Sequence, residues 1–458
     1  MATLVLAGSA LLAGAVFAGT ALHATVRSRV FLALILLVSQ IALRPFIPGE
    51  AFGFLGLTFQ AYLTVRLWRT TPRIYRKAIV TVSISVACYW LSITLVSLVT
   101  TREPNISDTV KALFGDIAAF AGGACLSSNR NLLRTAHRIL SWLVSSQIVA
   151  YLLMLVLRTV APTLATGPLL SFTLSSIGGR ASLYEIWAPF AITQGSGGFV
   201  PQLGPRLTGF GGEPGVLAAL MALLAVFPLQ RPGKRRIFVL PWYTLGIIFT
   251  QSTGGMAALA VGSCCLLLLR LPGRYVPFGI TLAAFSAQSV VASYSSSMFG
   301  LNSKASTNNI SVQDRLGGSW GAHSLVDLWL RYPFGDSSHH LAQESINLLT
   351  QSITYGPIPP AIALAAMILP CLPLRMGLEV APIISCLVVT LVAAQPAFEN
   401  PAWLYLLGFG LAALHFERSR GSIATAAGTP RGLSGPSRTA VPLGASRETV
   451  DKRIASAH

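Results

Sequence analysis

"EPGVLAALMALLAVFPLQRPGKRRIFVLPWYTLGIIF" (residues 213–249) sets two apolar runs on either side of a basic knot made by Arg231, Lys234, Arg235 and Arg236. The runs 213–229 and 237–252 are near the length a helix needs to cross ~30 Å of hydrocarbon. Lys and Arg gather in the cytoplasmic connections of membrane proteins, so the basic knot marks the inner side. Glu213 and Pro214 then sit at the outer mouth of the first run. Pro is tolerated in a helix's first turn, where its missing N–H would have no partner. A carboxylate there complements the positive end of the helix dipole.

The same pattern repeats along the chain. Of its 458 residues, 53% are hydrophobic and 10% charged, with a mean hydropathy of +0.64. Soluble domains carry about 25% charged residues. Further apolar runs fall near 3–24, 30–46, 51–66, 78–100, 110–127, 139–157, 254–269, 275–292, 350–372, 379–395 and 402–415. The expected fold is therefore all-α, a polytopic integral membrane protein of about 12–13 transmembrane helices. The run at 3–24 has its basic residues after it and none before it, the wrong polarity for a cleaved signal, and reads as a span.

Basic residues concentrate in the connections 25–29, 66–77, 130–138, 231–236, 270–274 and 373–378, which places these inside. The acidic residues Glu50, Glu103, Asp108, Glu185, Glu213, Asp314, Asp327, Asp336, Glu344 and Glu399 fall on the opposite side. The net charge of +18 thus reports topology and contact with the lipid bilayer, not a nucleic-acid partner.

Two outer connections are long, about 158–212 and 293–349, with no evident strand pattern in either. Loops of that length are usually functional or disordered. The membrane domain takes residues 1–415. The tail 416–458 is small, polar and without periodicity, and reads as a disordered cytoplasmic extension. The six cysteines lie in apolar stretches without CxxC spacing and read as small core residues.

"RLTGFGGEPG" (206–215) opens the first quoted run. Arg206 has three readings: an interfacial anchor, a partner of Glu213, or a phosphate clamp whose guanidinium fork matches phosphate oxygens. Gly209, Gly211 and Gly212 would let backbone approach a ligand closely. The residues are not GxGxxG and follow no predicted strand, so a dinucleotide site is excluded.

In "DRLGGSWGAHSLVDLWLRYPFGDSSHH" (314–340), residues 320–332 read as an amphipathic helix ended by Pro333 and Gly335. Leu325, Leu328, Trp329 and Tyr332 share one face; His323, Asp327 and Arg331 share another. His339 and His340 lack zincin spacing, and no metal is expected. In "ESINLLTQSITYGPIPP" (344–360), Glu344 either complements a helix dipole or serves as a general base near a membrane-surface cleft. Trp187, Trp320 and Trp329 in the outer loops suit either sugar stacking or interfacial anchoring. Asp116, inside the span 110–127, is a functional candidate by position or a structural partner of another helix.

Taken in order, "RLTGFGGEPGVLA", "FTQSTGGMAALAVG" (249–262), the 314–337 stretch, "ESINLLTQSITYGPIPP" and "QPAFENPAWLYLLGFGLA" (395–412) resemble the O-antigen polymerase and O-antigen ligase superfamily. The likeness covers about residues 200–415. It implies a multi-pass protein of the bacterial inner (plasma) membrane. Members transfer glycan from a polyprenyl-pyrophosphate-linked oligosaccharide to an acceptor hydroxyl on the external face, with no metal and no cofactor. A chain-length regulator or a flippase would be a partner. By position, Arg206 and Arg315 are similar to the arginines that contact the carrier's pyrophosphate.

Two departures are visible. Thr253 stands where many members carry Arg after the "T-x-S" string. Ser345, beside Glu344, stands where ligases commonly carry His, which is more similar to capsular or exopolysaccharide polymerases. The expected activity is therefore polymerisation of lipid-linked repeat units. Glu344 would act as base, with His339 and His340 as rivals, and Glu213, Trp187, Trp320 and Trp329 in sugar-binding or supporting roles. The alternatives are a ligase acting on a lipid core and a permease or flippase without chemistry.

Overall fold

A computed structural model describes residues 49–100, 106–127, 129–161, 167–175, 181–195, 203–211, 213–229, 236–269, 329–335, 347–374 and 380–393, with residues 376, 407–408 and 410–411. The expected spans 3–24, 30–46 and 275–292, most of 402–415, and the tail lie outside these residues.

The chain is mostly helical. The helices are α1 (Gly49–Trp68), α2 (Arg73–Val99), α3 (Ile106–Ser127), α4 (Arg130–Val160), α5 (Pro214–Leu229), α6 (Arg236–Thr250), α7 (Thr253–Leu268), α8 (Leu348–Thr354), α9 (Ile358–Ile368) and α10 (Ala381–Ala393). Among the described residues, two helical stretches are long and apolar enough to cross a membrane: Arg73–Val99, with 27 residues, and Asn131–Val160, with 30. At 1.5 Å per residue these extend about 40 and 45 Å. The other apolar helices are shorter, at 10–17 residues.

Local chemistry sets the helix ends. The Asn129 side chain caps α4, accepting from Asn131 N at 2.9 Å and Leu132 N at 3.3 Å. Pro72, extended at ψ 146°, starts α2. Val80, Ile84, Leu91, Leu95 and Leu98 are all exposed and fall at helical spacing along α2. An apolar stripe that faces outward, on a helix whose other side is buried, suits a hydrocarbon solvent better than water.

α5 is the central helix of the second half. Every residue from Pro214 to Phe227 is buried, and α6, α7 and α10 pack against it. Small residues permit the approach of α5 to α7. A Cβ built on Gly255 would overlap the Ala218 methyl, the close backbone contact typical of helices in membranes.

Two expectations are corrected. The long connection 158–212 is not irregular. It holds an antiparallel sheet of β1 (Leu170–Ser175), β2 (Ala181–Trp187), β3 (Ala191–Gln194) and β4 (Arg206–Leu207), in the order β1-β2-β3-β4. The chain is therefore not all-α. Phe172 lies opposite Tyr184 across β1 and β2, with their rings stacked at 5.7 Å; such pairs are the unit of sheet stabilisation. The apolar run 350–372 is also not one span. It breaks between α8 and α9, where Gly356 takes φ +77° just before Pro357, which has no N–H to continue a helix.

Candidate functional site

The site forms where the sheet meets the ends of α4, α6 and α7. α4 holds the sheet through Gln147, whose side chain is buried. Its Nε2 donates to the Phe190 carbonyl at 3.4 Å, and its Oε1 accepts from Ile192 N at 3.2 Å. Thr208 completes the tie, its N and Oγ1 each donating to the Ile192 carbonyl at 3.0 Å. Gln147→Leu should leave a buried N–H and a weakly held carbonyl, at roughly 1–3 kcal/mol for each unsatisfied group. The expected result is faster proteolysis at the 188–190 turn, with helix content unchanged by circular dichroism.

One turn of α4 later, Tyr151 meets the segment before β4. Its hydroxyl lies 2.6 Å from the Leu203 carbonyl and 2.8 Å from that of Pro205, sharing one proton between them. Its ring packs on Phe249 of α6, with centroids 4.8 Å apart.

The corner between α6 and α7, "TQSTGG", supplies the other wall. Gln251 there takes φ +51°. A left-handed conformation costs a residue with a Cβ roughly 1–2 kcal/mol. Gln251 is held in it by its fully buried side chain, whose Nε2 donates to the Gly204 carbonyl at 3.2 Å. Ser252 then caps α7, accepting from Gly255 N at 3.2 Å. The Arg206 Nε donates to the Thr250 carbonyl at 3.2 Å. Arg206 is half-buried, so its guanidinium is seated at this corner. Two stretches 44 residues apart, "RLTGFGGEPG" and "FTQSTGG", are thus joined by one arginine.

Glu213 is exposed at the start of α5. Its carbonyl accepts from Val216 N at 3.1 Å and Leu217 N at 3.2 Å, the hydrogen bonding of a helix start. Gly209, at φ +53°, brings the backbone against the protein itself: an added Cβ would sit 2.9 Å from Leu217 Cδ2 and 3.1 Å from Gln147 Cγ. Its close approach is to α4 and α5.

No protein-family model and no characterised protein matches the chain. The functional reading therefore rests on residues and geometry.

Trp187 is buried in the sheet, its Nε1 donating to Glu185 Oε2 at 3.0 Å. The Arg158 guanidinium lies over its ring, 4.8 Å from the centroid, so that face is already covered. Trp329 lies in the described piece 329–335, where residues 329–331 are helical and the helix ends before Pro333. Its Nε1 is buried with no hydrogen-bond partner. Arg315, Trp320, His339, His340 and Glu344 lie outside the described residues. Asp116 is fully buried and accepts from Trp90 Nε1 at 2.9 Å, the structural pairing of two helices.

Sequence reasoning missed three features. Arg158 counted only as a charge marking topology. Gln251 carried no pattern, since a strained backbone has no residue signature when the residue is not glycine. The third is a polar row, Asn347, Gln351, Ser352 and Thr354, buried at α8; Gln351 Oε1 there accepts from the Tyr89 hydroxyl at 3.0 Å. The spacing of polar residues inside 344–354 was its signal.

Proposed function

We propose that the chain is a polytopic membrane glycosyltransferase that polymerises polysaccharide repeat units carried on polyprenyl pyrophosphate, at the external face of a bacterial inner membrane. The observation that carries this reading is Arg206, seated by the Thr250 carbonyl where the start of α5, the end of α6 and the start of α7 meet. An amphiphilic donor with a buried tail and an anionic head calls for a cation where such apolar helices end.

The chemistry follows from the donor. The acceptor hydroxyl attacks the anomeric carbon, and the bond from that carbon to the pyrophosphate oxygen breaks. Polyprenyl pyrophosphate leaves with the bonding electrons, and the hydroxyl proton passes to a base. Guanidinium groups stabilise the charge developing on the leaving group. Arg206 fills that role with Arg315. Glu344 takes the proton, with His339 and His340 as rivals.

The test is to incubate the purified protein with lipid-linked repeat units and size the products. A ladder is expected. A single transfer to a lipid core would mean a ligase. No product, with passage of the lipid-linked glycan across liposomes, would mean a permease.

The topology has its own test. Single cysteines at the exposed Ser171 in β1 and the exposed Thr70 between α1 and α2 are treated with a membrane-impermeant thiol reagent in permeabilised-envelope cells. Ser171→Cys should label and Thr70→Cys should not. Reversed labelling would put the site in the cytoplasm and end the proposal.

A further inference from the structure

We propose that Arg158 is a further phosphate-binding guanidinium, acting beside Arg206 on the pyrophosphate of the lipid donor in addition to the role given to Arg315, and that Trp187 serves it as a platform. This deepens the function proposed above and rests on it.

Arg158 lies in the last turn of α4 and is exposed. Its guanidinium covers the Trp187 ring at 4.8 Å. Among the described residues it has no hydrogen bond or ion pair, and the ring contact leaves the edges of its planar fork uncovered by Trp187. The indole beneath it is fixed in turn by the hydrogen bond to Glu185 at 3.0 Å. Arg158 Nη1 also lies 2.7 Å from where a Cβ of Gly204 would be. Gly204 is at φ +71°, so a side chain is disfavoured there twice over. The bare backbone leaves room for the guanidinium.

That position matters because Gly204 precedes Arg206 by two residues, a Cα separation of at most about 7 Å. The Gly204 carbonyl is held by Gln251 and the Arg206 Nε by Thr250, both at the α6–α7 corner. One short segment therefore meets the Arg158 guanidinium from α4 at Gly204 and carries Arg206 two residues later. A pyrophosphate has two anionic centres, and two forks held on rigid elements match it better than one.

A cation at a helix C-terminus also complements the helix dipole, and Arg at a bilayer interface can anchor to phospholipid. Either role needs only a positive charge. The proposed role needs the fork. The ligand chemistry is a lipid phosphate in both cases, supplied by the polyprenyl carrier or by a bilayer headgroup.

The experiment separates the two sources. Full-length protein in phosphatidylcholine nanodiscs is titrated with polyprenyl pyrophosphate, polyprenyl monophosphate and phosphatidylglycerol, and bound lipid is read by native mass spectrometry. Arg158→Gln should weaken polyprenyl pyrophosphate about tenfold to a hundredfold, the worth of charge-assisted hydrogen bonds. It should leave phosphatidylglycerol unchanged. Arg158→Lys should recover little, because a point charge lacks the fork. Trp187→Leu should cost roughly twofold to fivefold through the lost cation–π platform.

Size-exclusion profiles establish that each variant is folded. Wild-type affinity in Arg158→Lys would overturn the proposal, because an anchor needs only charge. A parallel loss of phosphatidylglycerol in Arg158→Gln would overturn it as well. Unchanged pyrophosphate binding in Arg158→Gln would remove this inference and leave the function standing. A wild-type protein that binds no polyprenyl pyrophosphate would remove both.

Discussion

Arg206→Gln is expected to cut glycan product per unit of membrane-inserted protein by roughly 10²–10³, the usual loss when one preorganised donor to a developing anion is removed. Gln is a short neutral amide that reaches neither the Thr250 carbonyl, now 3.2 Å from Arg206 Nε, nor a phosphate beyond it. Arg206→Lys should also be poor, because an ammonium cannot bond the carbonyl with one edge and present a planar fork with another. A snorkelling anchor would behave differently, since Lys reaches the interface as well as Arg; near-normal activity in Arg206→Lys would therefore take Arg206 out of the mechanism. Glu213→Gln is the comparison. Glu213 is exposed and its carbonyl starts α5, so loss of its charge removes a favourable helix-dipole interaction, about 0.3–1 kcal/mol of stability, and activity should fall far less than in Arg206→Gln. If Glu213→Gln lost activity as severely as Arg206→Gln, and the double variant lost no more, Arg206 would be a structural partner of Glu213.

How much of this was legible follows from where each signal resides. A bilayer imposes a length on its helices, so apolar runs such as 78–100 and 139–157 announce themselves, and the structure places α2 and α4 over them. The sheet was harder to see because its strands are short, from two to seven residues. Their alternation in "LSFTLS" and "SLYEIW" was outweighed by glycines, charges and loop length. β3 gives no alternation at all, since Ala191, Ile192 and Thr193 are all buried; a strand covered on both faces loses period two. The break at 355–357 was legible in "YGP", but the apolar residues on both sides read as one span.

The site divides in the same way. Arg206 stood out because a charge beside a membrane-length run needs a reason. The group that seats it did not, because a backbone carbonyl exists at every position and only the fold selects the one at Thr250. Arg158 was visible as a residue and invisible as a neighbour: its contacts with Trp187 and Gly204 join positions far apart along the chain. Trp187 read as an outer aromatic, whereas β2 turns it inward and gives its ring to a cation.

Gly335→Ala and Gly356→Ala should each destabilise the protein by about 2–5 kcal/mol, joining a left-handed backbone penalty to an overpacking penalty. Gly335 is at φ +82° and Gly356 at φ +77°. A Cβ on Gly335 would overlap the Thr354 carbonyl, and one on Gly356 would overlap the Pro333 carbonyl and sit 3.2 Å from Gly335 N. Each glycine thus faces backbone beside the other, so neither clash is relieved by turning a side chain. The two turns lock together, tying the chain after Trp329 to the break between α8 and α9. Because both changes damage one joint, the double variant should cost less than the sum of the singles. Gly167→Ala is the control: no atom lies within 4 Å of its added Cβ, and it should be silent. Thermal unfolding of the detergent-solubilised protein reads all four, and wild-type stability in Gly356→Ala would show that the joint is not tight. The joint also bears on chemistry. Residues 336–346, which include His339, His340 and Glu344, lie in the sequence between Gly335 and α8, the helix that leads to Gly356. If the base is among them, loosening the joint moves the base relative to Arg206, and a misplacement of about 1 Å can cost 10²-fold. Gly356→Ala should therefore lose more activity per folded molecule than its unfolding accounts for. Activity that merely tracks the folded fraction would place the base elsewhere.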